Sequence, residues 1–162
     1  KTSSMRTYIT IEKSISKFIF VKIIISLLTG ISFSILCYCF DVQFPIFWGV
    51  LAFILNFIQM IGSIISTAIM CVFAVTFLPT MSVTVLFIVL AIAIQLLFGS
   101  ILEPIFMGKT FSINTVTIIV MLFFWGYVWN IPGMILAVPL TVTMKTIMEQ
   151  FDRTRAIAAL MS

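Results

Sequence analysis

The stretch PIFWGVLAFILNFIQMIGSIISTAIMCVFAVTFL, Pro45 to Leu78, decides the fold. As one straight helix it would measure about 51 Å, against a hydrocarbon layer of about 30 Å. A single crossing does not need that length, so the chain must fold back or break. Asn56, Gln59, Gly62 and Ser63 cluster near its middle. A break is cheapest there, because freed backbone groups find polar partners. The segment is expected to be either a hairpin of two spans or a re-entrant loop.

The rest of the chain fixes the solvent. With 62% hydrophobic residues, 9% charged and a mean hydropathy of +1.30, it lies far from the usual soluble mixture. A soluble fold of 162 residues would leave about a third of its unfolded surface exposed and could not hide so much apolar side chain. Lipid must be the solvent, and the class is an all-α, polytopic helical membrane protein with broken or re-entrant helices and amphipathic ends. Histidine is absent, and Cys37, Cys39 and Cys71 sit in apolar runs without paired spacing. They read as small buried hydrophobes, with no disulfide framework, metal site or cofactor expected. The net charge of +4 is confined almost wholly to the two ends. No basic stripe with interleaved aromatics occurs, which points to a lipid bilayer as partner and away from nucleic acid.

Working outward toward the N-terminus, Ile23 to Phe40 is a span with Ser26, Gly30 and Ser34 at steps of four. Three small residues on one face allow another helix to approach closely. Residues 1–22 interleave Arg6, Lys13 and Lys17 with apolar residues at helical spacing, as in a basic amphipathic helix at a membrane surface or a solvated linker helix. Toward the C-terminus, Met81 to Phe98 is another span. The stretch ILEPIFMGKT, Ile101 to Thr110, is expected to be a polar turn. Glu103 and Lys109 in it are the only charged residues between Asp41 and Lys145. Pro104 is expected to end the preceding helix and Gly108 to help make the turn. Phe111 to Tyr127 follows, then Ile131 to Met144, interrupted by Pro132, Gly133 and Pro139. The transmembrane domain is thus 23–144. Residues 145–162 form an amphipathic tail, with Lys145, Glu149 and Arg153 placed for ion pairs along one face.

Basic residues favour the cytoplasmic side, and both ends and the Lys109 loop are basic. All three lie inside only if Pro45 to Leu78 leaves and returns to the outer face. That arrangement also gathers Tyr38, Trp48, Trp125, Tyr127 and Trp129 at the outer interface. The stretches FWGVLAFILN and FWGYVWN share Phe-Trp-Gly and a later Asn, too little to carry an internal repeat. The chain opens on Lys1 without an initiator methionine and is expected to be a fragment of a longer protein.

In apolar surroundings each polar side chain needs a partner, so the few that exist are the functional candidates. Asn56, Gln59 and Ser63 lie on one small and polar stripe, which can line a solute path or act as interhelical glue. Gln95, Gly99 and Glu103, at steps of four, share a face if the helix continues through the loop. Glu103 could then exchange a proton or cation; the duller reading is a hydrated loop carboxylate loosely paired with Lys109. Gly108, Lys109 and Thr110 lack the earlier glycine of a phosphate loop, and no enzyme constellation is present.

Three stretches, WGVLAFILNFIQMIGSIIS, ILEPIFMGKTFSIN and MILAVPLTVTMK, in this order and spacing, resemble the autoinducer-2 exporter family of bacterial permeases. The resemblance covers nearly the whole chain and implies its C-terminal half, with the N-terminal half of the same protein missing. It implies a multi-pass protein of the bacterial inner membrane without cofactors, whose members export autoinducer-2 or, in some relatives, exchange sodium and protons. The family's usual Asn-x-Ile-Pro-x-x-Gly lacks its proline here, with Gln59 in its place, which predicts a less sharp break. Ser100, Ile105 and Asn130 depart from the family pattern as well, Asn130 standing for an expected glycine. The function expected is a secondary permease for a small solute such as autoinducer-2, the alternatives being a sodium/proton antiporter and a non-transporting assembly fragment. A homo-oligomer is compatible with each.

Overall fold

The computed structural model describes residues 2–58, 60–107 and 113–149, the side chains of 2–8, 10 and 11 excepted. Every element among them is a helix. Gln59, Gly108, Lys109, Arg153 and the tail from 150 lie outside the described residues. The chain divides into two compact units, one of residues 21–106 and one of 1–20 with 107–162.

Helix α1, Thr2–Cys39, runs unbroken across the expected boundary at residue 22. It ends where Asp41 takes a left-handed φ of 51°. The Val42 amide then donates to the Cys37 carbonyl at 2.9 Å and the Asp41 amide to Tyr38 at 3.3 Å. This pair of bonds satisfies carbonyls the last turn would otherwise leave bare. Helix α2, Pro45–Asn56, starts with proline at its first position, where a missing N–H costs nothing. Helix α3 is Ile61–Phe77 and helix α4 Met81–Gln95.

Pro45 to Leu78 does fold back. The reversal lies between α2 and α3, with Met60 at φ 56°. Gly62 packs so tightly on the Leu55 carbonyl that a Cβ there would overlap it. The expectation of a less sharp break is therefore corrected. The missing proline is immaterial, because Met60 supplies the turn's dihedral and Gly62 lets the backbones meet. The two arms, 12 and 17 residues, are about 18 and 26 Å long, each shorter than the hydrocarbon layer.

The small face of α1 receives α2. A Cβ on Gly30 would come to 2.7 Å from the Gly49 carbonyl oxygen, and one on Gly49 would strike Ser34. Phe33, Cys37, Trp48, Ala52, Met70, Ala74, Phe87 and Ala91 close the core of this unit. Outward-facing apolar side chains such as Leu27, Ile35, Val72 and Leu86 stay exposed, as lipid contact requires.

After Gln95 the helix widens into a π segment, Leu96–Leu102, and tightens again as α5, Glu103–Met107. The expectation that Pro104 ends the helix is thereby corrected. Pro104 sits in the first turn of α5, where its missing N–H is tolerated, so the chain changes helix type and continues. With α4 this makes one apolar span, Met81–Met107.

In the other unit, α6 spans Thr115–Met148, capped by the Asn114 side chain accepting from the Val116 amide at 3.1 Å. It is not one rod. Asn130 has φ 55° and ψ −137°, and a Cβ on Gly133 would overlap the Trp125 carbonyl. Residues eight apart in a straight helix are separated by about 12 Å. The chain therefore folds back at Asn130, with Gly126 against Met134. Pro132 and Gly133, expected to interrupt the span themselves, lie just past a break that Asn130 makes. Pro139 does not interrupt the helix, since only Asn130 within it has non-helical dihedrals.

Candidate functional site

The unit of residues 21–106 holds a groove of about 390 Å³ between α3, the end of α4 and the π segment. Its walls are mainly apolar, including Ile64, Ala68 and Ile92, and its polar atoms come from Ser63, Thr67, Gln95, Ser100 and Glu103. Of the residues picked from sequence, the fold brings Ser63, Gln95 and Glu103 together here. Asn56 does not line the groove but supports it. Its amide nitrogen donates to Ser26 Oγ at 3.1 Å, and its oxygen accepts from Ser63 Oγ at 2.7 Å.

These bonds decide what the groove offers. The Ser63 proton is committed to Asn56, so its hydroxyl faces the groove as an acceptor. Thr67 Oγ1 donates to the Ser63 carbonyl at 3.0 Å, with Gln95 Oε1 at a distant 3.5 Å. Gln95 Nε2 is buried and has no hydrogen-bond partner. It lies above Gly99, where a Cβ would come to 3.1 Å of it, so the glycine makes its room. A buried donor left unmade costs about 1–3 kcal/mol, an energy that an acceptor on a bound solute would recover.

Glu103 is part of the groove wall. It is 4% exposed, and its Oε1 accepts from Lys22 Nζ at 2.7 Å, Lys22 being 1% exposed. The hydrated, loop-borne Glu103 expected beside Lys109 is thus replaced by a buried ion pair with α1. Sequence reasoning missed Lys22. In the sequence it reads as part of the basic amphipathic segment, and its one signal is position: it stands four residues before Ser26, on the face that α1 turns inward. Gln95, Gly99 and Glu103 all line the groove, as their spacing predicted for a continuous helix. The wider π turn keeps residues four and five apart on one side.

A smaller apolar groove of about 280 Å³, lined by Leu27, Ile31, Val50 and Phe53 among others, lies where α1 meets α2. Among the described residues no cluster of His, Cys, Asp and Glu could hold a metal ion.

The model of the AI-2E family transporters matches residues 3–153. The AI-2 transport protein TqsA of Escherichia coli is 36% identical over 92% of this chain and 43% of its own length. Proteins of Borreliella burgdorferi and Haemophilus influenzae, both named "Putative transport protein", are each 37% identical, over 86% and 87% of this chain and 39% and 40% of theirs. The chain thus spans about two fifths of the length of these relatives. With its long apolar helices Glu12–Cys39 and Met81–Met107 and the apolar, folded-back Thr115–Met148, it is a multi-pass helical membrane protein. The chain belongs to the AI-2E transporter family.

Proposed function

We propose that this chain forms the solute-handling part of a membrane permease, and that its groove takes a small, uncharged, polyhydroxylated molecule. The unpartnered Gln95 Nε2 carries the reading: it is buried without a partner beside the groove, and a side chain that turns toward a guest would gain an acceptor there. Ser63 and the Glu103 carboxylate offer lone pairs to a hydroxyl-bearing solute, while the apolar walls take its carbon skeleton. The relative TqsA is named an AI-2 transport protein, which makes AI-2 the first solute to try. The folded-back pair α2 and α3, whose reversal at Met60 borders the groove, supplies the broken backbone that secondary carriers use near a substrate. A cation exchanger working through Glu103 is less well supported, since Lys22 already occupies that carboxylate.

The carrier sits in the bacterial inner membrane with both ends of this segment cytoplasmic, a placement resting on their basic residues. The reading is tested by flux of labelled polyols, autoinducer-2 included, through vesicles holding the full-length protein. Flux of at least one neutral polyol is expected to fall about tenfold or more with Gln95→Leu. Unchanged flux in that variant would refute the groove as the solute path.

A further inference from the structure

Resting on that reading, we propose that Lys22 is the charge-selecting residue of the groove: it neutralises Glu103 from behind and so keeps cations out. Among the described residues Glu103 is the only carboxylate in the groove wall, in surroundings otherwise apolar or neutral. An uncompensated carboxylate in such a place would draw a cation from water, because low polarity strengthens the attraction and no described groove-lining residue supplies positive charge. Lys22 supplies it from a different helix. Its ammonium is 2.7 Å from Glu103 Oε1 and is not among the groove-lining residues, so the charge is balanced without filling the cavity.

The arrangement is also anchored. Lys22 stands one helical turn before Ser26, which holds Asn56, which in turn aligns Ser63 on the groove wall. Charge balance and hydroxyl orientation are therefore set by the same face of α1. Removing one member of a buried pair leaves the other as an uncompensated charge. Lys22→Met should accordingly turn a site for neutral solutes into a cation site, and additional loss of the carboxylate should return it to neutrality. Lys22 acts through Glu103 and is a positioning residue.

The test is thermal unfolding of the purified full-length protein in sodium chloride against N-methyl-D-glucamine chloride at equal ionic strength. The unaltered protein is expected to melt at the same temperature in both. Lys22→Met should melt higher in sodium, with Tm rising at every tenfold increase above half-saturation. Lys22→Met combined with Glu103→Gln should lose that dependence. A purely structural ion pair would move Tm equally in both salts. The proposal is overturned if Lys22→Met shows no sodium dependence, or if the unaltered protein shows as much as the variant. Should Lys22→Met not fold, recovery by sodium during purification supports the proposal. Failure in saturating sodium, while the double variant folds, overturns it, since the ion then has no route to the carboxylate. No solute flux enters this readout, so the permease reading and the charge-selection reading can fail separately.

Discussion

Gly62 lies against the carbonyl oxygen of Leu55, seven residues earlier, with no room for a side chain between them. This contact ties the two arms of the α2–α3 hairpin and fixes where Ser63, the next residue, faces the groove. Gly62→Ala is expected to destabilise the protein by about 1–3 kcal/mol, because the obstacle is backbone and cannot swing aside. Thermal unfolding in detergent measures this, and a Tm within a degree of the unaltered protein would contradict it.

The turn at Asn130 makes the opposite prediction. Its φ of 55° with ψ of −137° belongs to a region that suits glycine, and holding another residue there costs about 1–3 kcal/mol. Asn130→Gly gives back about 0.5–1 kcal/mol through backbone entropy and should still be stabilising on balance. A lowered Tm would show that the asparagine side chain contributes more than its backbone strain costs.

Asn56 links Ser26 to Ser63, with both polar ends of its side chain satisfied. Interhelical hydrogen bonds in membranes average about 0.6 kcal/mol, so Asn56→Ala should cost roughly 1–2 kcal/mol in all. A double-mutant cycle with Ser26→Ala should show coupling near that average. Strict additivity would mean the two side chains do not interact in the membrane.

Gln95 separates stability from activity. Its amide nitrogen is unpaired in the groove wall, so Gln95→Leu should leave Tm unchanged or raise it while solute flux falls. A variant that loses both together would indicate that the amide is held by the fold and not reserved for a guest.

Much of this was legible in the residues. Ser26, Gly30 and Ser34 at steps of four predicted a close helix contact, and α2 lies on that face, since small side chains are a local property that needs no knowledge of the partner. The length of Pro45 to Leu78 forced a reversal, and the structure puts it beside Asn56 as expected. The partner of Glu103 was not legible. Lys22 is 81 positions away, and a helical period says which face a residue occupies but not which distant helix will cover it. The π segment was hidden too, because Leu96–Leu102 reads as ordinary helix and its widening depends on packing. Phe-Trp-Gly recurs shortly before both turns, at Phe47 and Phe124. What the two turns share is a glycine pressed on an earlier carbonyl, Gly62 on Leu55 and Gly133 on Trp125, a likeness of backbone that the letters barely record.

Cys71 lines the groove and is half-buried, whereas Cys37 is fully buried in the core of its unit. The most direct measurement is the rate at which a small, water-soluble thiol reagent labels Cys71 in full-length protein whose other cysteines have been replaced by alanine. If the groove is a water-filled solute site, Cys71 reacts, and a saturating neutral polyol that the protein transports slows the reaction several-fold. A Cys71 that is inert, or that reacts equally fast with and without the solute, would contradict it.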